Sequence, residues 1–236
     1  MDNANNNDMG ISIITITNKP NNFRNIINNY SKQELNKKEL ILVLNNNSMS
    51  LKKYNHALKK YPNTYVYQLD EKVSLGNCLN YAIEHSNYNI VAKFDDDDYY
   101  GAKYLSNSLK TMIEKEALVL GKSTSYVYFK SNKVLAIRNL NKENKFVRRV
   151  EGPTFLIRKE VFSIIKFPDK SLGEDVQFCK DCIRNMIPIY SSDKKDFVYI
   201  REINKSNHTW KINDDFYLKL CKIIGKYDNF REYIDF

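Results

Sequence analysis

Strand and helix patterns alternate four times across residues 11–116, and this rhythm limits the possible folds more than any other feature of the chain. ISIITIT at 11–17 is a β-branched run closed by the turn signal NKPNN, which predicts a buried strand. Pro20 and Asn22 then open a helix through Tyr30. ELILVLN at 39–45 predicts a second buried strand, followed by a helix over 50–61 with Ser50 as its N-cap. TYVYQL at 64–69 predicts a third strand, and the helix over 73–86 places Leu75, Leu79, Ala82 and Ile83 on one face. NIVAKFD at 89–95 is the fourth strand pattern and 101–116 the fourth helix. Such alternation predicts an α/β fold, with a mostly parallel, Rossmann-like central sheet, flanking helices and right-handed crossovers.

Past ALVLG at 117–121 the rhythm changes to a mixed C-terminal half. SYVYFK and KVLAIR read as an antiparallel hairpin, TFLIRK and EVFSII as a strand and a short helix, and 175–186 as another helix. With no internal repeat and no Gly/Ser- or Pro-rich linker, the expectation is a polar tail at 1–10, one continuous domain over 11–212, and a C-terminal amphipathic helix over 213–236. No run approaches 18 apolar residues and the first residues, MDNANNNDMG, carry no apolar signal-peptide core, so neither a membrane span nor a secretory signal is expected. The four cysteines are too sparse for a disulfide scaffold, and Cys179-x-x-Cys182 reads as helix core, so a reducing, cytoplasmic setting is expected.

The net charge of +9 favours an anionic partner, although the lysines are scattered among acids. In open α/β sheets ligands bind outside the carboxyl ends of the strands, and three polar clusters fall there. Thr17-Asn18-Lys19-Pro20 follows the first strand, Asn45-Asn46-Asn47-Ser48 the second, and Asp95-Asp96-Asp97-Asp98 the fourth. Four adjacent carboxylates at a strand end suit a hard divalent cation better than they suit a solvated turn. An EF-hand is excluded, because Tyr100 and Ser106 stand where glycine and glutamate are needed. Neither a P-loop nor G-x-G-x-x-G follows the first strand.

The order strand–TNKP, strand–NNNS, SLGNCLNYAI, FDDDDYY, GPTFLIRKEVF, GEDVQF and HTW resembles the family 2 glycosyltransferases of GT-A fold, over about residues 11–210. The resemblance implies a nucleotide-binding half over 11–121, an acceptor-binding half over 122–212, and a nucleotide-sugar lying across the sheet crevice. It implies that Asp95, with Asp96, faces the ribose and that Asp97 holds Mn²⁺ or Mg²⁺ on the diphosphate. Thr17, Asn18, Asn46 and Asn80 would border the nucleotide-sugar, and His208 would help hold the metal or diphosphate. Asp175 corresponds to the general base of inverting members, with Gly152, Pro153, Thr154 and Glu174 on the acceptor side.

Two departures stand out. Asn45, Asn46 and Asn47 replace the usual aspartates and glycine after the second strand, which weakens the case for UDP, and Leu79 precedes Asn80 where an arginine is common. No Q-x-x-R-W follows the GED segment, against a processive synthase. The expected activity is metal-dependent, inverting transfer of a sugar, from a donor expected to be UDP-linked, to an acceptor hydroxyl. The charge suggests an anionic glycan or lipid-linked acceptor, with peripheral contact at the inner membrane face, as in cell-surface polysaccharide synthesis. Competing readings are a non-catalytic GT-A-like binding domain, a sugar nucleotidyltransferase and a basic nucleic-acid-binding protein. The last two lack their motifs, and an acid tetrad repels nucleic acid.

Overall fold

The computed structural model describes residues 9–202 and 212–234. Its larger sheet has eight strands in the order β3-β2-β1-β4-β10-β6-β11-β9. The first four are Ile11–Thr17 (β1), Lys38–Leu44 (β2), Thr64–Gln68 (β3) and Ile90–Lys93 (β4), all mutually parallel. The helices that follow them are α1 (Phe23–Ser31), α2 (Leu51–Leu58), α3 (Leu75–Glu84) and, after the two-residue strand β5 (Tyr99–Tyr100), α4 (Tyr104–Glu114). Strands β6 (Val119–Gly121) and β11 (Ile189–Ser191) continue in the same direction, while β9 (Lys145–Val147) and β10 (Leu156–Arg158) run against it.

Alternation along the central strands sorts the core into two layers. Ile11 and Ile13 of β1 and Leu40, Leu42 and Leu44 of β2 pack with α1, α2 and α4. Ile14, Ile41 and Val43 face the other way, toward α3 and α5 (Glu174–Arg184). The buried Ser12 side chain of β1 donates to Glu39 at 2.6 Å, and Glu39 in turn accepts from the Asn87 backbone and side chain, both at 2.6 Å. Ser50 and Ser74 cap α2 and α3 through the backbone N–H of Lys53 and Asn77. Cys179 and Cys182 lie in the α5 core, and burial pushes both thiols up to about 12. Among the described residues no helix is long and apolar enough to cross a membrane.

A second sheet, ordered β13-β8-β7-β12-β5, packs beside the first. It contains the expected hairpin, β7 (Ser125–Phe129) and β8 (Val134–Arg138), with β12 (Phe197–Arg201) parallel to β7. Here the C-terminal expectation needs correction. The helix expected over 213–236 is instead a six-residue helix α6 (Asp214–Lys219), a strand β13 (Lys222–Lys226) and a short helix α7 (Arg231–Ile234). Ile223 and Ile224 are β-branched, Gly225 is the poorest helix former after proline, and β8 offers an open edge, so pairing prevails over amphipathic periodicity. Ile224 packs against the apolar cluster of this sheet that includes Leu135, Val198 and Ile200. Replacement of Ile224 by alanine should therefore destabilise the protein by about 2 kcal/mol in urea unfolding, whereas a detachable C-terminal helix would leave the midpoint unchanged.

Candidate active site

The carboxyl ends of β1 and β4 set the floor of a cleft of about 730 Å³. Asp95 through Asp98 form the turn between β4 and β5, and each carboxylate goes to a different partner. Asp95 pairs with Lys93, and its backbone N–H donates to the Tyr100 hydroxyl at 2.8 Å. Asp96 accepts from the Thr17 hydroxyl and lies 3.6 Å from Lys19. Burial, then the neighbouring Asp97, pushes the Asp96 carboxyl up to about 6, opposed by Lys19 and the Thr17 hydrogen bond. Asp97 pairs with the Lys19 ammonium at 2.8 Å. Asp98 turns into the protein, where one oxygen accepts from Ile200 N–H at 2.9 Å and the other, Oδ2, has no hydrogen-bond partner among the described residues. Burial, reinforced by Asp97 and Asp95, raises the Asp98 carboxyl well above the ordinary range.

The opposite wall comes from the 3₁₀ turn Gly152–Thr154 and the first turn of α5. Gly173, at φ 76°, takes the left-handed conformation that lets the chain enter α5. Glu174 is buried and Asp175 lines the cleft. A Cβ on Gly152 would lie 2.9 Å from the Asp175 Cβ and 3.0 Å from its Oδ2, so only glycine leaves Asp175 in this position. The Tyr100 hydroxyl, accepting from Asp95, donates to the Pro153 carbonyl at 2.8 Å and so joins the two walls. Beneath them lies the buried Lys93. Burial opposes its charge, but Asp95, Glu174 and Asp175 together hold its pKa above the ordinary value.

Of the residues expected at the site, Thr17, Asn18, Asp95, Asp96, Asp97, Gly152, Pro153, Glu174 and Asp175 line this one cleft. Three others are engaged elsewhere. Asn46 donates to the Asn18 carbonyl, and its amide oxygen accepts from the Ser48 N–H and hydroxyl. Asn80 exchanges both its amide hydrogen bonds with the Phe167 backbone. Thr154 is fully buried and bonds Lys122 N–H and the Glu151 carbonyl. His208 lies outside the described residues. The cleft also holds charged residues that the sequence reading passed over: Lys93, Arg138, Arg149 and Glu151. A lysine in the apolar run IVAKF, directly before the acids, was a readable signal for Lys93. Arg138 and Glu151, an ion pair at 3.1 Å, were not legible, being 13 residues apart on different elements.

Among the described residues no group of three or more His, Cys, Asp or Glu side chains is placed to hold a metal ion. Mg²⁺-like sites commonly use one or two protein carboxylates and take further oxygens from substrate phosphates and water. Asp97 and Asp95, two cleft-facing carboxylates beside open volume, fit that donor set.

A search of curated proteins finds no match. Among solved structures, S. aureus TarS 1–349 is 20% identical with a TM-score of 0.61, over 81% of this chain and 60% of that one. The same TarS fragment in complex with UDP-GlcNAc is 18% identical with a TM-score of 0.61, over 90% of this chain and 64% of that one. The mannosyltransferase PcManGT from Pyrobaculum calidifontis, in complex with GDP-Man and Mn²⁺, is 14% identical with a TM-score of 0.63, over 84% and 58%. The chain thus spans less than two thirds of each of these structures, and the likeness establishes a GT-A fold. The profile of Glycosyl transferase family 2 matches residues 12–169, two thirds of the sequence, and the chain belongs to that family.

Proposed function

We propose that the chain transfers a sugar from a nucleotide-sugar, with inversion, to an acceptor hydroxyl, assisted by Mn²⁺ or Mg²⁺. The observation that carries this reading is the division of one cleft between two acid groups, Asp95 and Asp97 on the strand-end floor and Asp175 on the α5 wall. The TarS complexes with UDP-GlcNAc and UDP, and the PcManGT complex with GDP-Man, support a nucleotide donor in a cleft of this fold. A UDP carrier is retained, but Asn46 is not assigned to the base, because its amide oxygen is already occupied by Ser48.

In the proposed reaction the acceptor oxygen bonds to the sugar C1 as the bond from C1 to the diphosphate oxygen breaks. The acceptor proton passes to the Asp175 carboxylate and the electron pair leaves with the nucleoside diphosphate. Asp97, with Asp95, would hold the cation, which when bound supplies neutralisation of the charge developing on the leaving diphosphate. Lys19 contributes a cation on the same side, and Lys93 offsets the charges of Asp95, Glu174 and Asp175 from below. Gly152 keeps the space beside Asp175 open.

Separate roles predict separable defects. Asp97→Ala should abolish Mn²⁺-dependent nucleotide binding together with turnover. Asp175→Asn should lower kcat by about a thousandfold while nucleotide affinity stays within a factor of about two. Transfer at the normal rate by Asp175→Asn would remove Asp175 as the base. Gly152→Ala, which displaces that carboxylate, should lower kcat by about tenfold or more with little change in nucleotide affinity, measured in the same transfer and binding assays.

A further inference from the structure

Among the described residues four cations line the cleft, and three of them have close carboxylate partners. Lys19 meets Asp97 at 2.8 Å, Lys93 meets Asp95, and Arg138 meets Glu151 at 3.1 Å. Arg149 differs. Its guanidinium reaches only to 3.9 Å from Asp175 Oδ2, its side chain is 51% exposed, and it makes no hydrogen bond among the described residues. A guanidinium carries five N–H donors in a planar fork that matches two oxygens of a phosphate or carboxylate. The surrounding segment, KFVRRV at 145–150, has no acid, and Lys145 and Arg148 are exposed with Arg149. These unused donors therefore sit on the acceptor wall, beside the residue proposed to accept the acceptor's proton.

We propose that Arg149 binds an oxyanion carried by the acceptor, a phosphate ester or a carboxylate, next to the hydroxyl that receives the sugar. The inference rests on the assignment of Asp175 to the acceptor side. It makes Arg149 a specificity residue: a neutral acceptor would leave the guanidinium with only its distant Asp175 contact, whereas an anionic one would be held in two-point contact and its hydroxyl directed toward Asp175. Lys145 and Arg148, exposed in the same segment, add positive charge close in sequence to Arg149, as suits an anionic acceptor.

The test uses the full chain with UDP and Mn²⁺ present in excess, titrated with glycerol 3-phosphate, glycerate and glycerol under ligand-observed NMR. The expected result is saturable binding of at least one anion, no saturable binding of glycerol, and an anion dissociation constant about tenfold weaker in Arg149→Gln. Arg149→Lys should recover part of that loss, and whichever anion binds more tightly identifies the acceptor group. Anion binding no better than that of glycerol, or an Arg149→Gln variant with unchanged anion affinity, overturns the proposal. So does a loss of UDP affinity in Arg149→Gln, which would assign the guanidinium to the donor. If UDP fails to bind the wild-type chain, the donor reading fails separately, and the same titration on nucleotide-free protein still decides the role of Arg149 by the same criteria.

Discussion

Four consecutive carboxylates can occupy one turn only if their mutual repulsion is dispersed, and the rest of the site follows from how this chain disperses it. Side chains of adjacent residues diverge, so Asp96 turns back to Thr17 at the end of β1 while Asp98 enters the core and binds the Ile200 backbone of the second sheet. The turn is also held from α1, where Asn25 donates to the Asp96 and Asp98 carbonyls and Asn29 donates to the Asp98 carbonyl, each at 2.9 Å. One acid turn thus ties β1, α1 and the second sheet together. Burying Asp98 with one oxygen unpaired among the described residues has a cost that protonation would lower, because a neutral acid loses far less solvation than an anion. With two carboxylates committed to the scaffold, Asp95 and Asp97 remain directed at the cleft.

Buried Lys93 extends this arrangement to the opposite wall. An isolated lysine in that position would shed its proton, since burial disfavours the charged form. Three carboxylates, Asp95, Glu174 and Asp175, reverse the balance, with Asp95 on the floor and the other two on α5. One cation therefore serves both acid groups. Removing it would leave carboxylates without compensation on both walls, and the cost of such uncompensated buried charge usually exceeds what an intact pair contributes.

Much of this architecture was legible in the sequence. Alternating hydrophobic runs separated by turn signals marked β1 through α4, and the polar clusters at strand ends marked the cleft. The resemblance to family 2 glycosyltransferases agrees with the family profile and with the GT-A fold. What failed to be legible was set by tertiary pairing. Residues 214–227 have a helical pattern, yet the open edge of β8 draws Lys222–Lys226 into a sheet. Asn46, Asn80 and Thr154 stand in motif positions but spend their hydrogen bonds on the Ser48, Phe167 and Glu151 neighbourhoods, which no spacing rule reveals. Arg149 was passed over because a basic pair near a strand usually reads as solvated surface; only its place in the cleft distinguishes it.

The central claim is that the floor formed by Asp95 and Asp97 receives a nucleoside diphosphate together with a divalent cation. Thermal unfolding of the full chain with UDP or GDP, each with and without Mn²⁺, tests it most directly. A ligand bound only by the native state stabilises by about 2.7 kcal/mol at a hundredfold excess over its dissociation constant. The account predicts a rise in Tm with one nucleotide that requires Mn²⁺ and is absent in Asp97→Ala. An unfolding temperature unmoved by either nucleotide, with or without the cation, would contradict it.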